Sequence, residues 1–152
     1  MSVTVSADVA VDAPASRAFD AATRFPPPDL MRAHWPMPGC ASFTGPARWL
    51  ATDEERRLVM TDGNTLTERL VAFNAPMTYE TRITGFHGWF ARLAAHADVS
   101  WTFETVDTGA AINWRVEFAP RDGASPVMLA AATMPFWPAY MRGGLKRLSA
   151  AV

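Results

Sequence analysis

The sequence predicts an α+β fold: a curved antiparallel sheet of about seven strands wrapped around a long carboxyl-terminal helix, with short helices after the first strand. Three observations carry this expectation. The opening residues alternate apolar and polar with a period of two. A meander of short strands, punctuated by turn-forming residues, runs from Ala47 to Pro120. After Pro126 the apolar spacing becomes helical.

Composition sets the limits. The chain has 152 residues, of which 49% are hydrophobic and 19% charged. That is a globular composition, and a single domain over 1–152 of this size buries roughly 70% of the surface its unfolded chain exposes. A formal charge of -1 and a pI near 6.3 leave no basic footprint, so nucleic acid is excluded as a partner. Cys40 is the only cysteine, which forbids an internal disulfide and reads as a small buried apolar residue. The opening has no basic region followed by an apolar block, and the uncharged run from Gly123 to Met141 is interrupted by three prolines. A cytoplasmic protein with no membrane span is expected.

Taken in order, Val3, Val5, Ala7, Val9 and Val11 share one face of the first strand, opposite Thr4, Ser6 and Asp8. Asp12 and Pro14 then supply a cap type and an early-helix proline for "PASRAFDAATR", whose apolar stripe is Ala15, Ala18, Phe19 and Ala22. The next stretch, "FPPPDLMRAHWPMPGCASFTGP", is too rich in proline for regular structure beyond a helical turn around Asp29 to His34, and is expected to form part of a pocket rim. Six strands follow: "ARWLA", "RRLVMT", "TLTERLVAF", "MTYETRITGF", "ADVSWTFETV" and "AAINWRVEFAP". The run "DEERR" reads as a solvated turn, and "TDGN" as a hairpin. "HGWFARLAAH" fits neither a strand nor a helix period well. In the final helix Tyr140, Met141, Leu145 and Leu148 keep helical spacing, although Pro135 and Pro138 precede it and Gly143 and Gly144 interrupt it.

An antiparallel sheet with one apolar face needs a cover, and the last helix is the long element left to supply it. A curved sheet gripping one helix leaves space for a ligand between them.

The phrases "VTVSADVAVDAPASRAFDAATR", "MTDGNTLTERLVAFNAPMTYETRIT", "WTFETVDTGAAINWRVEF" and the closing "LKRL" together resemble the START-like SRPBCC superfamily, of polyketide cyclase/dehydrase and lipid-transport type. The resemblance covers essentially the whole chain. It implies a helix-grip fold enclosing an apolar cavity for a lipid, sterol, polyketide or similar molecule. It also gives the prolines a role: a break before the gripped helix would hold "MPFWPAYM" as the gate or end wall of the pocket. In the aromatase/cyclase branch an inward arginine anchors the substrate on the strand matching "YETRITGF", which points to Arg82; the serine often found two residues earlier there is Glu80 here. Strand alternation, by contrast, sends Glu80 and Arg82 to solvent and Tyr79 inward.

Two functions follow. The first is a binder of a hydrophobic small molecule whose wall comprises Trp35, Tyr79, Phe86, Trp89, Trp101, Phe103, Trp114, Trp137, Tyr140 and Met141. The alternative is a polyketide cyclase/dehydrase-type enzyme in which Arg82 or Tyr79 orients a carbonyl and Tyr140 or His34 donates a proton. A protein-binding module of the same fold would instead show an exposed apolar patch on the sheet. No cofactor is expected. His34, His87 and His96 lack metal-ligand spacing, so no metal is expected either.

Overall fold

The computed structural model describes residues 1–152. Its strands are β1 (Val3–Val11), β2 (Cys40–Thr44), β3 (Glu55–Met60), β4 (Thr65–Asn74), β5 (Thr78–Thr84), β6 (Ala94–Val106) and β7 (Gly109–Pro120). They form one sheet in the order β1-β7-β6-β5-β4-β3-β2, with every pair antiparallel. Six consecutive strands make a meander, and β1 closes onto its last member. Register shifts at Cys40/Ser42, Leu70/Ala72 and Ala94/His96 bend the strands, as extra residues in a ladder do, and curve the sheet.

The helices are α1 (Ala15–Thr23), α2 (Pro27–Leu30), α3 (Pro126–Thr133) and α4 (Trp137–Ala151), with a 3-10 turn at Gly88–Arg92. That turn resolves the ambiguous "HGWFARLAAH": the first half is helical and the second opens β6. At α1 the residue before the helix is Pro14, in extended conformation and without a side-chain cap, so Asp12 does not cap it. Ser125 does cap α3, accepting from the Met128 amide at 3.3 Å.

Two expectations need correction. The strand placed at "ARWLA" does not exist, and its place in the sheet is taken by β2, inside the stretch expected to be irregular. No proline falls between Pro38 and Pro46, so that span is free to pair with β3, and it opens at Cys40, whose amide donates to the Met31 carbonyl. Trp49 instead turns inward and is 2% exposed. The run "DEERR" is also not wholly solvated: β3 begins at Glu55, and its alternation places Arg56 on the inner face with Leu58 and Met60, 4% exposed. There its guanidinium lies 4.0 Å from the centroid of the Trp49 ring, while its Nε donates to the Pro46 carbonyl.

The closing helical region is divided by Met134–Phe136 into α3 and α4. Pro138 stands in the first turn of α4, where a missing amide hydrogen leaves no bond unmade. From there Tyr140, Met141, Leu145 and Leu148 are buried at the spacing seen in the sequence, and the arrangement is a helix-grip fold.

Gly144 lets α4 approach α2. A Cβ built there would lie 2.4 Å from the Leu30 carbonyl oxygen and 3.2 Å from Cζ3 of Trp114, so only glycine fits. One residue earlier, a Cβ at Gly143 would meet nothing nearer than the Arg147 guanidinium at 3.5 Å. The two interruptions are therefore not equivalent. Urea denaturation is expected to show Gly144→Ala destabilised by about 1–3 kcal/mol through overpacking. Gly143→Ala is expected to be neutral or stabilised by about 0.5–1 kcal/mol, because alanine is the better helix former.

Candidate functional site

The inner face of the sheet divides into a filled half and an open half. In the filled half, α1 drives Phe19 against Phe73, Tyr79 and Phe103, with ring centroids 5.5, 5.7 and 5.2 Å away. Tyr79 stacks on Trp101 at 5.8 Å, and Trp101 in turn stacks on Trp114 at 4.9 Å. These flat rings, paired across β5, β6 and β7, fill the space under α1 completely enough to be core.

Beyond Trp114 the packing opens into a cavity of about 320 Å3. Its floor is Leu66, Ile83, Ala97, Val99, Trp114, Val116 and Phe118, and its walls come from three non-strand segments. The proline-rich stretch contributes Met31 and Pro36 to Pro38; the turn before β6 contributes Phe86, His87, Trp89 and Phe90; the α3–α4 break contributes Ala132, Phe136, Trp137 and Tyr140. Of 22 lining residues 17 are hydrophobic, which makes the space one that apolar molecules enter by leaving water. Pro36, Asp62, Asn64, His87 and Trp89 line it and are also exposed, so they mark its mouth.

Of the residues expected from sequence, Phe86, Trp89, Trp114, Trp137 and Tyr140 line this cavity. Tyr79, Trp101 and Phe103 lie in the aromatic stack, and Met141 is fully buried under α4. Trp35 is 86% exposed, and His34, also exposed, lies beside it off the cavity wall. Arg82 lies on the outer face of the sheet, where its Nε donates to Asp98 at 2.7 Å and a second nitrogen reaches the same carboxylate at 3.3 Å. The alternation of β5 accounts for this: Tyr79 and Thr81 point in, so Glu80 and Arg82 point out. The outer face there carries Glu80, Arg82, Asp98, Arg115 and Glu117, a charged surface rather than an apolar patch. Among the residues not singled out from the sequence were Met31, Met37 and Phe90; a methionine amid prolines, with a flexible and polarizable side chain, was the available signal for the first two.

The rim is tied to α4 by side chains. The Tyr140 hydroxyl donates to the Pro38 carbonyl at 3.1 Å. Arg147 donates to the Asp29 carbonyl at 2.6 Å and the Leu30 carbonyl at 3.2 Å, satisfying groups at the end of α2. Burial pushes the Tyr140 hydroxyl well above its ordinary range, with the neighbouring Cys40 adding to the shift. At neutral pH it is therefore a fixed donor, not a base.

A second buried polar group sits outside the cavity lining. Thr81 donates to Glu68 at 3.1 Å, and burial raises the Glu68 carboxyl while Arg56 partly opposes the shift. Tyr79, next to both, is raised well above its usual value by burial and then by Glu68. No three His, Cys, Asp or Glu side chains come together to hold a metal ion; His87 donates to the Thr65 carbonyl at 3.0 Å, and His96 lies 3.4 Å from Asp98. No helix is long and apolar enough to cross a membrane.

A family model described as polyketide cyclase / dehydrase and lipid transport matches residues 2–152. No curated protein matches the sequence. Among solved structures, Ara h 8.0201 is similar with a TM-score of 0.68 at 17% identity, over 99% of this chain and 97% of that one. Norcoclaurine synthase from Thalictrum flavum, in complex with dopamine and hydroxybenzaldehyde, gives 0.68 at 9% identity, over 99% and 86%. The di-domain ARO/CYC StfQ from the steffimycin biosynthetic pathway gives 0.67 at 13% identity, over 98% of this chain and 50% of that one. At these identities the likeness is one of fold.

Cys40 reports on this region. Burial, with the charge of Glu68 adding to it, pushes its thiol from 9.0 up to about 11. The protonated thiol is thus favoured by folding, and its contribution is complete below the unfolded value and lost as pH rises through the folded one. Native protein at pH 8 is expected to react with a thiol reagent at least about tenfold more slowly than urea-unfolded protein. Stability should fall between about pH 9 and pH 11, less steeply in Cys40→Ala, as read by denaturant midpoints across that window.

Proposed function

The chain belongs to the polyketide cyclase / dehydrase and lipid transport family, and we propose that it holds a hydrophobic small molecule in the cavity between its sheet and its carboxyl-terminal helices. The observation that carries this reading is the unfilled apolar space of about 320 Å3 beside a tightly stacked aromatic core. A chain whose only need was stability would gain by filling it, since cavities cost stability in proportion to their volume. Phe86, Trp89, Trp114, Trp137 and Tyr140 are the expected wall residues that take part; Trp35, Tyr79, Trp101, Phe103 and Met141 have no such role. Removing about 200 Å2 of apolar ligand surface from water supplies ~5 kcal/mol at ~25 cal/mol per Å2. The "MPFWPAYM" segment, through Phe136, Trp137 and Tyr140, forms one end wall.

A polyketide cyclase/dehydrase-type activity is the second reading, supported by the family and by the fold shared with an ARO/CYC protein. Arg82 has no part in it, being on the outer face. Tyr140 carries the only hydroxyl on the cavity wall, and its proton is engaged by the Pro38 carbonyl, an arrangement suited to holding the rim. The binding reading is therefore favoured.

The test is to incubate the purified protein with a metabolite extract, re-isolate it, and compare retained and consumed compounds by mass spectrometry against heat-denatured protein. A compound retained unchanged supports binding; one consumed with a cyclised or dehydrated product contradicts it. For the retained compound, Ala132→Phe, which places a ring into the cavity from α3, is expected to weaken binding at least about tenfold with little change in Tm. Tyr140→Phe is expected to leave affinity within about threefold.

A further inference from the structure

We infer that the mouth of the cavity is a docking surface for a bilayer containing anionic lipid, from which the site takes its hydrophobic molecule without releasing it to water. The source of the molecule rests on the binding reading above; the docking face stands on separate observations. Ten large hydrophobic side chains are exposed, and such residues scattered singly over a surface carry no meaning. Here they are not scattered. Five of the ten, Trp35, Trp89, Val127, Met128 and Met134, fall on the three segments that wall the cavity, and these include both exposed tryptophans. Trp89 is 63% exposed and lines the cavity as well, so it stands at the lip. Trp35 precedes Pro36, which lines the mouth, and Met134 lies in the α3–α4 break two residues before Phe136. Met128 is one turn of α3 before Ala132 and shares its face.

Charge follows the same division. The chain has 15 acidic residues, yet 30–38, 86–92 and 126–142 contain none, while they hold Arg32, Arg92 and Arg142. Arg92 ends the 3-10 turn that carries Trp89, and neither it nor Arg142 makes an ion pair; Arg32 reaches Asp29 at 3.8 Å. Glu80, Asp98 and Glu117 gather on the outer face of the sheet, and Asp62 is the single carboxyl lining the mouth. The net charge of -1 hides this separation because it sums the whole chain. Tryptophan rings settle where headgroups meet acyl chains, and an arginine beside an anionic leaflet adds attraction. The opening within the apolar rim favours a bilayer over an acidic protein: a lipid interior continues the apolar path into the cavity, whereas a folded partner would close it.

Co-sedimentation with vesicles tests this. At low salt, phosphatidylcholine with about one-third phosphatidylglycerol is expected to bind the protein at least about tenfold more tightly than phosphatidylcholine alone, and added salt should remove most of the difference. Trp35→Ala and Arg92→Gln are each expected to weaken vesicle binding about fivefold. Met77→Ala, also exposed but at the other end of β5 beside the filled half, should leave it unchanged. Occupancy of the cavity is read separately, in vesicle-free solution, with the uncharged fluorescent probe N-phenyl-1-naphthylamine; Trp35→Ala should keep its affinity within about twofold, since Trp35 is off the cavity wall. Probe binding without vesicle binding, equal binding of neutral and anionic vesicles, or undiminished vesicle binding by Trp35→Ala would overturn the docking face and leave the binding reading intact. Binding to polyglutamate with none to vesicles would assign the face to an acidic protein and overturn the proposal. Vesicle binding without probe uptake would uphold the docking face and overturn the binding reading.

Discussion

The contact on which the rest of the structure depends is the seating of α4 against α2 at Gly144. With the helix backbone almost touching the Leu30 carbonyl, Leu145, Leu148 and Met141 reach the concave face, and Arg147 can bond the carbonyls that end α2. A helix held this closely at its middle cannot also follow the sheet to its far end. The break at Met134–Phe136 lets the chain turn away there, and the cavity lies under the turn. The glycine that closes one half of the interior and the prolines that open the other half thus belong to one arrangement.

The same logic explains why aromatic residues of similar appearance have different roles. Trp101 and Trp114 face each other on β6 and β7 and form the boundary. On one side, α1 lies over the sheet and Phe19 fills the space between Tyr79 and Phe103. On the other, the sheet is covered by a proline-rich segment, a 3-10 turn and a helix break, none of which presents a regular row of side chains to interdigitate. Close packing needs such rows. Where they are absent, volume is left over.

This division also marks what was legible in the sequence. The period-two runs from Thr65 to Pro120 and the helical spacing of Tyr140, Met141, Leu145 and Leu148 are local signals, and they led to the sheet and the gripping helix. The β2 strand was not legible, because it is five residues long, follows a run of prolines and has only two inward residues, Cys40 and Phe43, which the bulge sets out of a period of two. Arg56 looked solvated because charge dominates a local reading; that Trp49 folds over it is a tertiary fact. Within the site, alternation alone separated Tyr79 from Arg82 correctly as to face, while the family likeness had suggested the opposite for Arg82. Which inward aromatics border space and which are filled in depended on α1, an element far from them in the chain.

On the binding proposal, the space beside Trp114 is a site for apolar matter. Diffraction from crystals of the protein held under xenon pressure tests it most directly, since xenon enters dry apolar cavities and not polar or filled ones. A xenon peak is expected bounded by Val99, Trp114, Phe118 and Trp137, and none within the Phe19–Tyr79–Phe103 stack. Ordered water on the floor with no xenon, or a collapsed space in which Trp137 meets Val99, would contradict it.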